Sequence, residues 1–142
     1  MNKFSAKSCE RLTSCNTDLV LVMMSAIKLS RIDFGIAEGH RSVELQQKYF
    51  NEGKSKIDGI TKKGKHNLTP SMAVDLYAWV NNKVDYRTHN FIYLAGLIEG
   101  VSSELHAAGT ISHRIRWGGN WDQDGEILTD QTFDDLVHFE LV

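Results

Sequence analysis

The stretch MAVDLYAWV, residues 72 to 80, has the composition of a β-strand and a period of two: Val74, Leu76 and Ala78 fall on one face, Asp75, Tyr77 and Trp79 on the other. One side suits a core, and the other carries a carboxylate. After it, Asn81, Asn82 and Lys83 form a turn signal, and Phe91, Leu94, Ala95, Ile98, Val101 and Leu105 then keep a helical period from about Thr88 to Ala108, closed by Gly109. RIRW (114 to 117) reads as a strand, a glycine- and aspartate-rich loop runs to about Thr129, and the chain closes on a strand around VHFELV. Before it lie a lysine- and glycine-rich loop from Lys54 to Pro70, a helix capped by Ser42 and stopped at Gly53, and a short strand, DFGIAEG, at 33 to 39. Leu19, Val22, Met23, Ala26 and Ile27 mark an earlier core helix, capped by Asn16 or Thr17. Helices and short strands without regular alternation predict an α+β domain.

The bulk numbers narrow the function. The 142 residues fit one domain, 1 to 142, large enough to bury a core without disulfides. A formal charge of −2 and a pI near 6.3 argue against a nucleic-acid partner, and the Lys62, Lys63, Lys65 cluster reads as a solvated loop. Cys9 and Cys15 read as free thiols of a cytosolically made protein. The most apolar run, residues 19 to 29, is far shorter than the ~20 residues a bilayer span needs, so no membrane partner is expected, and no signal peptide opens the chain.

Two places offer chemistry. In the closing strand the period of two sets Leu136, His138 and Glu140 on one face and Val137, Phe139 and Leu141 on the other. His66, on the long loop, and Asp75 supply a second imidazole and a carboxylate. Two histidines and one carboxylate suit a catalytic zinc site, whose fourth position stays open for water, and a further carboxylate such as Asp135 must take that water's proton. Spacing alone leaves open the ordinary alternative of surface or hydrogen-bonded histidines. The second place is NWDQDGEILTDQ (120 to 131), where Asn120, Asp122 and Asp124 precede Gly125 as in the first half of a calcium loop. Gln131 stands where such a loop carries a bidentate glutamate, and a solvated acidic turn is the competing reading. Trp117, Trp121, Tyr77 and Trp79 are aromatic candidates for contacts near the site, and His40 for reaching the cleft; His89, His106 and His113 read as ordinary surface or helix residues.

The segments EGHRSVELQQ, KHNLTPSMAVDLYAW, RIRWGGNWDQDGE and TFDDLVHFEL, in this order, resemble the phage endolysin branch of the VanX/VanY-type zinc peptidases, the L-alanyl-D-glutamate peptidases of tailed phages. The resemblance implies a small α+β domain of the hedgehog or D,D-peptidase type, with helices on a short antiparallel sheet that carries the zinc site. It implies Zn2+ held by His66, Asp75 and His138, Asp135 as the acid/base carboxylate, and Arg41 as the group that stabilises the tetrahedral intermediate; were Asp135 dispensable, Asp134 would be the next candidate for the base. The sequence departs from the usual motif at Gly64, in place of a serine, and in placing Asp75 nine residues after His66, two more than usual.

The function implied is a zinc-dependent peptidoglycan hydrolase cutting the stem peptide at the L-alanyl-D-glutamate bond, working as a monomer. It would be made in the host cytoplasm and reach the wall after the membrane is permeabilised. A D-alanyl-D-alanine carboxypeptidase and a non-catalytic zinc-containing binding domain are the alternatives; retention of both Asp135 and Arg41 weighs against the second.

Overall fold

The computed structural model describes all 142 residues. Four helices, α1 (Ala6–Leu12), α2 (Thr17–Leu29), α3 (Val43–Asn51) and α4 (Thr88–Ala107), accompany five strands, β1 (Asp33–Glu38), β2 (Ala73–Val80), β3 (Lys83–Asp85), β4 (Ile115–Gly118) and β5 (Asp135–Leu141). The strands form one antiparallel sheet in the order β1-β2-β5-β4, with β3 paired to the far end of β2. This is the α+β arrangement of helices on a short antiparallel sheet that the sequence predicts.

Local chemistry sets the element ends. Asn16 accepts the Asp18 amide and starts α2, and Ser42 accepts the Leu45 amide and starts α3. Asn81 and Asn82 both take positive φ, 51° and 60°, the two-residue hairpin conformation that asparagine tolerates, so β2 turns directly into β3. Two elements went unread in the sequence. Helix α1 has only seven residues and little apolar period, and it is held by tertiary bonds: Ser8 Oγ accepts the Ile36 amide at 3.0 Å, and Arg11 donates to the Ile36 carbonyl at 2.8 Å. Strand β3 has three residues, too few for a pattern.

The two faces of the sheet are unlike. Leu19, Val22, Met23, Ala26 and Ile27 of α2 and Phe91, Leu94 and Ile98 of α4 close over Val74, Leu76, Trp117, Phe139 and Leu141 in one cluster of 22 buried residues. Burying a side chain of this size contributes roughly 1.5–3 kcal/mol, so this face anchors the sheet. The opposite face carries Asp75, His138 and Glu140.

At the start of β5 the two-residue alternation fails. The β4–β5 register slips between Trp117 and Gly118, and Leu136 packs against the core together with Val137 instead of sharing the face of His138. A bulge changes where side chains point. Here it aims Asp135 into the cavity that holds His138. Gly118 permits the close approach, because a Cβ there would lie 2.1 Å from the Asp135 carbonyl oxygen.

Candidate active site

Asp75 and His138 are direct cross-strand partners on β2 and β5. His66 reaches them from the short 3-10 turn Lys65–Asn67, which is stitched down on several sides: the Arg41 amide donates to the His66 carbonyl at 2.8 Å, the Met72 amide to the Lys65 carbonyl at 3.0 Å, and Lys65 Nζ to the Leu141 carbonyl at 2.8 Å. The long His66-to-Asp75 spacing includes exposed residues 68 to 70, and both side chains line one cavity.

Three atoms then converge. His66 Nε2 lies 3.1 Å from Asp75 Oδ1 and 3.2 Å from His138 Nδ1, and His138 Nδ1 lies 3.3 Å from Asp75 Oδ1. Ligands of a tetrahedral ion with bonds of about 2.0–2.1 Å stand about 3.3 Å apart, so the triangle has the edge such an ion needs.

The outer contacts agree with this. His66 Nδ1 faces the Gly39 carbonyl at 2.7 Å, and His138 Nε2 faces Glu140 Oε1 at 2.9 Å; both partners only accept, so both ring nitrogens donate. That leaves the inner nitrogens as lone pairs beside a carboxylate, a set that repels itself unless a cation or a proton sits between. His66, Asp75 and His138 can therefore hold a metal ion.

Electrostatics follow from the same contacts. Burial opposes a charged His138, but hydrogen bonds to Asp75 and Glu140 outweigh it and push its pKa up to about 9. Burial would raise Asp75 too, but with a proton between the carboxylate and the inner nitrogens of His138 and His66, bonding to the two rings holds its carboxyl far below the ordinary range. Glu140, 5% exposed, stays ionised against its burial because His138 and Arg116 both bond it, the latter at 3.0 Å. An arginine–glutamate–histidine chain thus sets the ring's orientation.

Arg41 is clamped between three acceptors. Its Nε donates to Glu38, Nη1 to Gln46 Oε1 at 3.0 Å and Nη2 to Asp75 Oδ2 at 3.2 Å, and its guanidinium lies 4.8 Å from the Tyr49 ring centroid. It holds the second oxygen of Asp75, a role the sequence did not indicate. Asp135 has no hydrogen-bond partner within the protein. Burial first, and the nearby charge of Asp75 second, raise its pKa above the usual carboxylate value, against the pull of His138, His66 and Arg41. A carboxylate free of partners in a cleft, with a raised pKa, suits proton transfer.

All five residues line one cavity of about 750 Å3. Of the four aromatic candidates only Trp121 lines it, with its ring 5.5 Å from that of His138. Trp117 is a core residue, 1% exposed, bonded through Nε1 to the Leu136 carbonyl, and Tyr77 covers Gly35. Trp79 and His40 do not line the cavity either. Glu38, Gln46, Arg116 and Glu140 also line it, and of these only Arg116 and Glu140, paired across β4 and β5, follow from strand alternation.

In the acidic loop Asp122 and Asp124 cluster with Asp130, all exposed. Asn120 is drawn inward, 7% exposed; its Nδ2 donates to the Asp124 carbonyl at 3.0 Å, and its Oδ1 has no hydrogen-bond partner. Gln131 turns away as well, accepting the Trp121 amide and donating to the Gly118 carbonyl and Asp134.

Comparison with known proteins gives a consistent set. Residues 1–142 match the family model described as phage L-alanyl-D-glutamate peptidase. The chain is 26% identical over 125 residues to the L-alanyl-D-glutamate peptidase of Escherichia phage T5, covering 87% of this chain and 85% of the relative. Its fold superposes on the crystal structure of the Serratia marcescens L-Ala D-Glu endopeptidase ChiX with a TM-score of 0.78 and 25% identity, over 99% of this chain and 91% of the other.

Proposed function

The chain belongs to the phage L-alanyl-D-glutamate peptidase family, and from that premise we propose that it is a zinc-dependent endolysin that cuts the L-alanyl-D-glutamate bond of peptidoglycan stem peptides. The observation that carries the reading is the convergence of His66, Asp75 and His138, each bonded outward, in one cavity with a carboxylate that has no partner. Two imidazoles and one carboxylate are a donor set of catalytic zinc. When bound, zinc supplies Lewis acidity, bringing the pKa of water toward neutrality and polarising the carbonyl.

The remaining work falls to the side chains. Asp135 takes a proton from the attacking water and delivers it to the leaving amine. Arg41 keeps Asp75 in place through one N–H of Nη2, and two of its five N–H groups remain for the charge that develops on the carbonyl oxygen. Glu140, held by Arg116, keeps the lone pair of His138 directed inward. Host-cell lysis is the proposed role, from synthesis in the host cytoplasm to action on the wall after membrane permeabilisation; no helix is long and apolar enough to cross a membrane. For the acidic loop the proposal is that Asp122, Asp124 and Asp130 offer oxygen ligands to a hard cation such as Ca2+.

The test is digestion of purified sacculi with zinc-loaded protein, followed by mass spectrometry. A new amino-terminal D-glutamate that disappears with chelator and returns with zinc is the expected result. Release of terminal D-alanine alone would replace this reading with a carboxypeptidase, and no chelator-sensitive product would leave a binding domain.

A further inference from the structure

The cavity extends well beyond the three converging ligands, and the loop that bounds it is cationic. Residues 54 to 65 hold five lysines and one aspartate in a chain whose net charge is −2. All five lysines line the cavity. Lys54 is paired with Glu52 at 2.9 Å and Lys65 with a backbone carbonyl, but Lys56, Lys62 and Lys63 have no carboxylate partner. The one aspartate does not neutralise them. Asp58 is occupied by the amides of Ile60, Thr61 and Lys62 and by the Thr61 hydroxyl.

The loop is a built wall. Gln46, 2% exposed, uses its whole amide on it: Nε2 donates to Ser55 Oγ at 2.8 Å and to the Ile57 carbonyl at 2.7 Å, and Oε1 accepts from Arg41 and from Asn67. From this wall Lys56 Nζ stands 5.0 Å over the Phe133 ring, Phe133 stacks on Trp121, and Trp121 lies against His138. The ammonium groups therefore rim the same space as the reacting centre.

We propose that Lys56, Lys62 and Lys63 are specificity-determining residues that bind the carboxylates on the D-glutamate side of the scissile bond; this rests on the peptidase reading above. In a stem peptide the chain continues through the side-chain carboxyl of D-glutamate. Its α-carboxylate is free and sits on the carbon that bears the leaving nitrogen. A cationic wall on one side of a concave site selects that end of the peptide and fixes the direction in which the bond lies across the centre. One exposed lysine contributes little, and the effect comes from three acting on one cleft.

The experiment compares two synthetic stem peptides, one with the free D-glutamate α-carboxylate and one with it amidated, cut by the zinc-loaded full chain. The wild type is expected to prefer the free acid by about tenfold in kcat/KM, mostly in KM, with the preference shrinking as salt rises. K56Q/K62Q/K63Q abolishes the preference, whereas K3Q/K7Q/K28Q, with the same loss of charge elsewhere, retains it; melting curves confirm that both variants fold. Equal KM for the two peptides in the wild type, or an unchanged preference in K56Q/K62Q/K63Q, overturns the lysine assignment and leaves the peptidase reading standing. Failure of the wild type to cut either peptide sinks the peptidase reading, and the lysine assignment with it.

Discussion

Two places in this molecule gather three potential metal ligands within 4.8 Å of one another, and they are built in opposite ways. Asp75 and His138 lie on paired strands and His66 on a hydrogen-bonded 3-10 turn, and each has an outward partner that fixes which lone pair faces inward: the Gly39 carbonyl for His66, Arg41 for Asp75 and Glu140 for His138. Asp122, Asp124 and Asp130 are exposed on a loop and mainly repel one another; the weak burial of Asp130 and the charges of Asp122 and Asp124 raise its pKa. Ligand count is the same in both, and the supporting contacts separate a preorganised site from an adaptable one.

The largest test of that contrast is His138→Ala or Asp75→Asn, which should abolish zinc binding by calorimetry and reduce sacculus hydrolysis by at least about 10³-fold. Asp135→Asn should bind zinc as the wild type does and lose about 10²–10⁴ in kcat. Near-normal turnover in that variant would move the base to Asp134. Glu140→Gln should weaken zinc about 10–100-fold while the fold persists, because the ring of His138 loses its charged acceptor. An unchanged zinc affinity would show that outward partners do not distinguish the two clusters.

Acidity gives a further separation. His138 has a folded-state pKa of about 9, above its unfolded value of about 6.5. Its contribution to stability is fully present below the unfolded value and is lost as pH rises through about 9. Chelator-treated protein should therefore lose melting temperature between those limits, and zinc-loaded protein should not. The smallest effect belongs to the loop. D122N/D130N should raise the melting temperature slightly in calcium-free buffer by relieving repulsion, and millimolar calcium should stabilise the wild type but not the variant.

What could be read in the sequence follows from the range of the interaction involved. The face of β2 that holds Asp75 and the pairing of His138 with Glu140 are consequences of a two-residue period, and the caps Asn16 and Ser42 act within three residues of themselves. Asp135 reaches the cavity through a bulge that no alternation rule predicts, and the same bulge moves Leu136 from the histidine's face to the core. Gln46 carries no local signal: its four bonds reach Arg41, Ser55, Ile57 and Asn67, and only folding brings these together. The lysine cluster is legible as charge, and Lys62 and Lys63 are exposed as a solvated loop requires, but a loop's sequence does not say which cavity it borders. Asn120 is placed in the loop by spacing, but the bond of its Nδ2 to the Asp124 carbonyl within the same turn is visible only in the fold.

The bonds from Ser8 and Arg11 to the backbone of Ile36 have a bearing on how this sheet meets other chains. Strand β1 is a sheet edge, and an edge with free amide and carbonyl groups is a template on which a foreign strand can grow. Here both groups of its central residue are occupied by side chains from a seven-residue helix. An incoming strand would have to strip off α1 before it could pair, so the short helix guards this edge against strand addition.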